Sequence, residues 1–252
     1  MQRDSKGRSS FYNKAYSIEG VRRSWESAPG KDVLHKVLQF FLQKANDNLP
    51  DVSSAKLVDI GCGTGFFLNV IRQTLGITRL TGIDFAEEAI RYGRAAYPDL
   101  VLLLEDGTRT SLDDCSQDCL VGYGCYEHFS QPQAGLREAA RVLKRNGILL
   151  VMIPTLGIDR TDREDEGWYE ERPVPGELVA QMQWNLKRST WESYMTNAGL
   201  ELFDDDLAKE FGALRPGVFY FGRRADPGKR PGNRPVEDRR GLAGPIQGTV
   251  SE

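Results

Sequence analysis

Histidine is scarce in this chain: two among 252 residues, with four cysteines and four methionines. The cysteines, Cys62, Cys115, Cys119 and Cys125, form no C-x-x-C pair. A disulfide scaffold is short, secreted and rich in cysteine, so free thiols in a reducing compartment, the cytoplasm, are expected. Cys115, Cys119, Cys125 and His128 run as C-x3-C-x5-C-x2-H, which is not the spacing of a zinc finger, so no metal is expected. Long apolar runs are missing too, and nothing approaches the length that spans a bilayer. A net charge of −3 supplies no global field for nucleic acid or an anionic membrane. The opening MQRDSKGRSS has no apolar segment of the kind a secretory signal needs, and Asp4 and Glu19 argue against a transit peptide.

What is present is a rhythm. Residues 1–30 are polar with scattered aromatics (Phe11, Tyr12, Tyr16, Trp25) and read as an arm rather than core. KDVLHKVLQFFLQKAN places Val33, Val37, Leu38, Phe41 and Leu42 at helical spacing. From residue 55, short apolar strands alternate with helices: AKLVDI, FFLNVIRQTLG, RLTGID, AEEAIRYGRAAY, DLVLLLED, DCLVGYG, PQAGLREAARVLKRNG and GILLVMIP. Pro132 near the start and Gly147 just past the end bound the predicted third helix of that series. Alternation of this kind implies an α/β, doubly wound fold with a mostly parallel sheet covered on both faces. Residues 155–187 break the rhythm and are charged and aromatic, with Trp168, Tyr169, Met182 and Trp184. A capped helix, STWESYMTNAGL, and two closing strands, ELFDDDLAKEF and GVFYFGRR, follow. From residue 225 the chain is Pro, Gly and Arg with almost no apolar content, which predicts a disordered tail. Its seven Arg/Lys against three acids over 223–240 read as a solvated end rather than an RNA contact.

The stretch LVDIGCGTG raises the chemical question. Glycines between a first strand and a first helix let a ligand approach bare backbone at a helix N-terminus. A dinucleotide fingerprint needs a third glycine at position 66, which is Phe66, and no Gly-Lys-Ser/Thr follows for a P-loop. Asp59, just before the turn, suits a cation or an amine and repels a pyrophosphate. Asp84 ends the second strand, where a carboxylate accepts from a ribose diol. Phe85 beside it offers a flat surface for a purine. Asp106 ends the third strand and can accept from an exocyclic amine. Three acids at the carboxyl ends of successive strands line one crevice, where open parallel sheets bind ligands. A ligand with an amine, a ribose diol, an adenine amino group and no phosphate fits that set, and S-adenosylmethionine is such a ligand. Two rivals stand beside these roles: Asp84 as a helix N-cap, and Asp106 as a plain turn acid.

Residues 57–154 resemble the class I S-adenosylmethionine-dependent methyltransferases of the small-molecule type. LVDIGCGTG is similar to their first motif, GIDFAEEAI to their second, EDG to their adenine-contacting turn, YGCYEHF to the segment after strand four, and AARVLKRNGILLVMIP to the following helix and strand. Gln117, where an aromatic is usual, and Tyr126, where leucine is usual, depart from the pattern. The resemblance implies a Rossmann-like sheet of seven strands whose last two form an antiparallel hairpin. It implies Gly61 and Gly63 beside the methionine part, Asp84 on the ribose, and Asp106 and Gly107 at the adenine. Asp59, Cys62, Phe85 and Tyr123 complete the expected cofactor set. Three parts are expected: an arm or lid at 1–30, a methyltransferase domain at 31–224 with an acceptor-side insertion at 155–187, and the tail at 225–252.

Glu127–His128 is the catalytic pair to weigh. His128 would sit at the crevice mouth and could take a proton from an acceptor, while the same pair could instead orient its loop. The expected reaction is methyl transfer to a small-molecule acceptor, without a membrane or nucleic acid as partner. A protein or RNA acceptor, or a non-catalytic adenosyl-binding domain, are the alternatives. Nothing in the chain specifies an oligomeric state.

Overall fold

In the computed structural model, residues 5–20, 22–23, 31–154, 165–174, 177–203 and 217–224 are described. A seven-stranded sheet is built from β1 (Lys56–Ile60), β2 (Arg79–Asp84), β3 (Val101–Leu104), β4 (Gln117–Tyr123), β5 (Leu143–Pro154), β8 (Leu200–Leu202) and β9 (Gly217–Arg224). Its order is β3-β2-β1-β4-β5-β9-β8. The first five strands are parallel, and β9 runs antiparallel to both β5 and β8. This is the seven-stranded, mostly parallel sheet with an antiparallel closing pair that the sequence leads one to expect.

Side-chain alternation splits the interior into two cores. Leu57, Cys119, Val121, Ile148, Leu150 and Phe221 face one side of the sheet. There they meet α2 (Lys31–Asn48) and α3 (Phe66–Leu75) through Leu34, Val37, Leu38, Phe41, Leu68 and Ile71. Val58, Ile60, Leu120, Leu149, Val151 and Tyr220 face the other side. They pack on α5 (Pro132–Val142) and α6 (Arg188–Asn197) through Leu136, Ala139, Trp191 and Met195. Each fully buried Leu, Ile or Phe contributes about 1.5–3 kcal/mol of transfer free energy, so neither face is expendable.

Three elements differ from the sequence reading. The helix expected to run to Gly147 stops at Val142, and Leu143 already pairs with Gln117 as the start of β5. Asn146 takes a left-handed φ of 60°, Lys144 bonds Asp118, and Arg224 donates to the carbonyls of Arg141 and Leu143. Those tertiary bonds end the helix one turn early and satisfy carbonyls that its last turn leaves open. Within the segment read only as a break in the rhythm, β6 (Asp165–Val174) pairs antiparallel with β7 (Glu177–Asn185). Residues 5–17, read as part of a loose arm, form helix α1 (Ser5–Ser17), with Phe11 and Ala15 buried. The proposed tail 225–252 lies outside the described residues, as does the Trp25 region.

Candidate functional site

The chain leaves β1, β2 and β3 on one side and returns to β4 beside β1, so β1 and β4 flank the switch point. At such a point, beyond the carboxyl ends of the strands, open parallel sheets bind their ligands. Gly61, Cys62, Gly63 and Gly65 form its floor. The N–H groups of Gly61 and Cys62 both donate to the carbonyl of Ile83, at 2.8 and 3.0 Å, which ties the turn to β2. Gly61 has φ of 75°, and a Cβ there would strike Cys125. The thiol of Cys125 in turn donates to the Ile60 carbonyl at 2.9 Å, closing the turn from the β4 side.

Asp84 holds the same turn from the other flank. Its Oδ2 accepts the Gly63 N–H at 2.8 Å and its Oδ1 accepts the Ala86 N–H at 2.8 Å. Ala86 is the N-cap of α4 (Glu87–Ala96) and offers no side-chain cap itself. Asp84 lies two residues before that N-cap and accepts the N-cap residue's own N–H, so it holds the helix entry without being the N-cap weighed for it, alongside the bond to Gly63. Each carboxylate oxygen keeps a further lone pair, so two more donors can be accepted. Burial raises the Asp84 carboxyl above its ordinary value, and the backbone N–H bonds partly offset that.

Asp59 is 1 % exposed, and its Oδ1 has no hydrogen-bond partner among the described residues. Burial first, and then the charge of Asp84, push its carboxyl well above the usual range. An unmatched buried carboxylate oxygen costs on the order of 1–3 kcal/mol, and an amine or a cation would relieve it. A left-handed glycine turn at Gly61 and Gly63, an acid at Asp59 with an oxygen unmatched among the described residues, and spare lone pairs on Asp84 fit S-adenosylmethionine.

The other expected residues divide. Cys62 is buried beneath the floor of the turn. Phe85, just past the end of β2, meets the Tyr12 ring edge-on at 5.5 Å. Tyr123 lies at the end of β4 against Phe67, 5.3 Å between rings. Gly107 is buried, and a Cβ there would press on Ile60 and Phe129. Asp106 is exposed, and its Oδ1 accepts from the N–H and hydroxyl of Thr108 at 2.8 and 2.7 Å. The turn role is therefore occupied at Asp106, with lone pairs left over.

Glu127 and His128 belong to a 3-10 turn, Tyr126–His128, just past β4. Glu127 is fully buried, and its Oε1 lies 3.4 Å from Nε2 of the His128 ring. Tyr12 from α1 meets that ring at 5.9 Å. Trp184 of β7 donates its indole N–H to the Phe129 carbonyl at 2.7 Å, so the hairpin borders the same turn. Cys115 sits apart at the surface beside Arg224, and Cys119 lies inside β4.

Sequence reasoning singled out Tyr12 and Tyr16 but missed Asn13 and Arg22. Asn13 Oδ1 accepts the Glu88 N–H at 3.0 Å in the first turn of α4. Arg22 donates to the Tyr16 carbonyl at 2.9 Å and lies 3.5 Å over the Tyr92 ring. No spacing rule signals either contact, because both depend on where α1 docks.

With this geometry in hand, likeness to known proteins carries meaning. Residues 58–151 match the methyltransferase domain family. A Mycobacterium tuberculosis protein named as a probable S-adenosylmethionine-dependent methyltransferase is 28% identical over 105 residues, covering 42% of this chain and 38% of its own. The demethylmenaquinone methyltransferase of Thermotoga maritima is 25% identical over 127 residues, 48% of this chain and 55% of its own. The chain thus spans about two fifths to just over half the length of these relatives. Among solved structures, a chain from the complex of the Haloferax volcanii Trm112 methyltransferase activator with a methyltransferase superposes with a TM-score of 0.61. It is 20% identical, and the match covers 90% of this chain and all of that one.

Proposed function

We propose, starting from a domain at residues 58–151 that belongs to the class I S-adenosylmethionine-dependent methyltransferases, that the chain methylates a small-molecule acceptor. The observation that carries this reading is the glycine turn from Gly61 to Gly65 set between the buried acids Asp59 and Asp84 at the switch point. The Thermotoga relative, named for a quinone precursor, supports an acceptor of metabolite size.

When bound, S-adenosylmethionine supplies a methyl group on a sulfonium, with a neutral thioether as the leaving group. The rest falls to the chain. Asp59 pairs with the positive end of the donor, and Asp84 accepts from the ribose hydroxyls while keeping the glycine turn closed. Phe85 and Tyr123 present ring surface for the adenosyl part, and Gly107 lets its loop approach closely. Alignment of donor and acceptor is worth roughly 7–11 kcal/mol in favourable cases, so positioning dominates. Where the acceptor atom must lose a proton, the His128 ring receives it at the nitrogen turned away from Glu127, and the buried Glu127 carboxylate, which faces Nε2, holds the resulting imidazolium. Such a base contributes about 10²–10⁴-fold.

The test is a methyl-labelled donor offered to a panel of small acceptors, including quinone-type rings, and in parallel to bulk protein and RNA. Label on a small molecule supports the reading. Label confined to protein or RNA rejects it, and donor binding without turnover against any acceptor returns the domain to a non-catalytic role.

A further inference from the structure

α1 crosses the crevice rather than lying beside it. Gly63 has φ of 55°, and the space where its Cβ would stand is filled by the hydroxyl of Tyr16. Burial, then the charge of Asp84, and after these Tyr12, Cys62 and Asp59, raise the Tyr16 phenol well above its ordinary value. The phenol thus sits among the crevice acids. Glycine leaves bare backbone for a ligand to approach, and that approach needs the same space.

The helix that delivers Tyr16 is latched at three points. Asn13 caps the first turn of α4 through the Glu88 N–H, and Arg22 stacks on Tyr92 of the same helix. Arg22 also reaches back to the Tyr16 carbonyl. Tyr12, one turn before Tyr16, touches both Phe85 and His128.

We infer that α1 is a gate on the donor crevice, with Tyr16 as its plug: the donor reaches the Gly63 backbone only by displacing the Tyr16 phenol. This rests on the donor assignment above. Because Tyr12 rides on the same helix, withdrawal of Tyr16 also moves the ring that covers His128. Donor binding therefore precedes and prepares acceptor binding. A site whose competent state is populated at about one part in ten shows an apparent affinity reduced about tenfold, and removing the plug restores it.

The experiment measures association kinetics and calorimetric affinity of S-adenosylhomocysteine on the full chain. The proteins are wild type, Tyr16→Ala, Tyr16→Phe and Arg22→Ala. Tyr16→Ala is expected to raise the association rate and tighten binding about tenfold. Tyr16→Phe, lacking only the hydroxyl, gives a smaller rise. Arg22→Ala, which keeps the plug and loosens the latch, speeds association and serves if Tyr16→Ala misfolds. Weaker binding in the Tyr16 variants would make Tyr16 a donor contact and overturn the gate, as would unchanged rates in all three. Wild-type binding with either result leaves the donor assignment standing. Failure of every protein to bind removes the donor assignment and the gate with it.

Discussion

Replacing Asp84 separates two things that one side chain does. Its carboxylate accepts the Gly63 and Ala86 N–H groups, both at 2.8 Å, inside the protein. Asp84→Ala strips both bonds. A buried amide without an acceptor costs about 1–3 kcal/mol, so two cost about 2–6 kcal/mol at most. That is a large part of the roughly 5–15 kcal/mol that holds a typical domain together. Asp84→Asn is the finer probe, since its carbonyl retains one acceptor and only one amide is lost, about 1–3 kcal/mol. The ligand meanwhile loses a charged acceptor. Hydrogen bonds to charged groups are worth about 1.5–3 kcal/mol, and 1.4 kcal/mol is a decade in Kd. Calorimetry with S-adenosylhomocysteine should therefore show Asp84→Asn weaker by about ten- to a hundredfold. Urea unfolding of the ligand-free protein reads the structural share separately. Reduced stability with unchanged affinity would leave Asp84 as a strut for the turn and remove it from the donor site.

Asp59→Asn should make the ligand-free protein more stable near neutral pH while weakening donor binding. The folded carboxyl is raised above an unfolded value near about 3.9, so its contribution is full below that pH and is lost as pH rises through the folded value. Urea titrations across pH should show that downward slope in wild type and a flatter one in the variant; identical slopes would refute the role of Asp59. His128→Asn should lower kcat by about 10²–10⁴-fold with little change in donor affinity, measured by initial rates and calorimetry. A parallel loss of donor affinity would assign His128 to the fold of its turn instead. Gly63→Ala should lower stability by at least about 1–2 kcal/mol from its left-handed backbone alone, seen as a drop in Tm. Relief of that loss in a Tyr16→Ala background would locate the remainder at the phenol.

The parallel sheet was legible because its physics is local. LVDIG, TGID and LVGY are apolar runs that only a sheet covered on both faces can bury, and the glycines punctuate the turn after β1. Asp59 and Asp84 were legible for the same reason, as acids where such strands end. The end of α5 was not. RVLKRNG has good helical residues up to its glycine, and only Asp118, Arg224 and the left-handed Asn146 reveal that Leu143 starts a strand. The hairpin at β6 and β7 escaped because its residues are polar and aromatic without a clear period of two. α1 escaped because a short polar helix gains its stability from docking rather than from its own pattern. At Asp106 the sequence left two roles open, and Thr108 fills one of them.

The strand order also separates two notions of a domain. Residues 58–151 are the segment that matches the methyltransferase domain family, yet they leave out the two strands that complete the sheet. β9, more than sixty positions downstream of that segment's end, zips along the flank of β5 and lends Tyr220 to one interior and Phe221 to the other. A gene fragment trimmed to the shared segment would leave a sticky open flank and two half-filled interiors, inviting self-association. The matched segment and the sheet thus have different borders, with the sheet extending to Arg224.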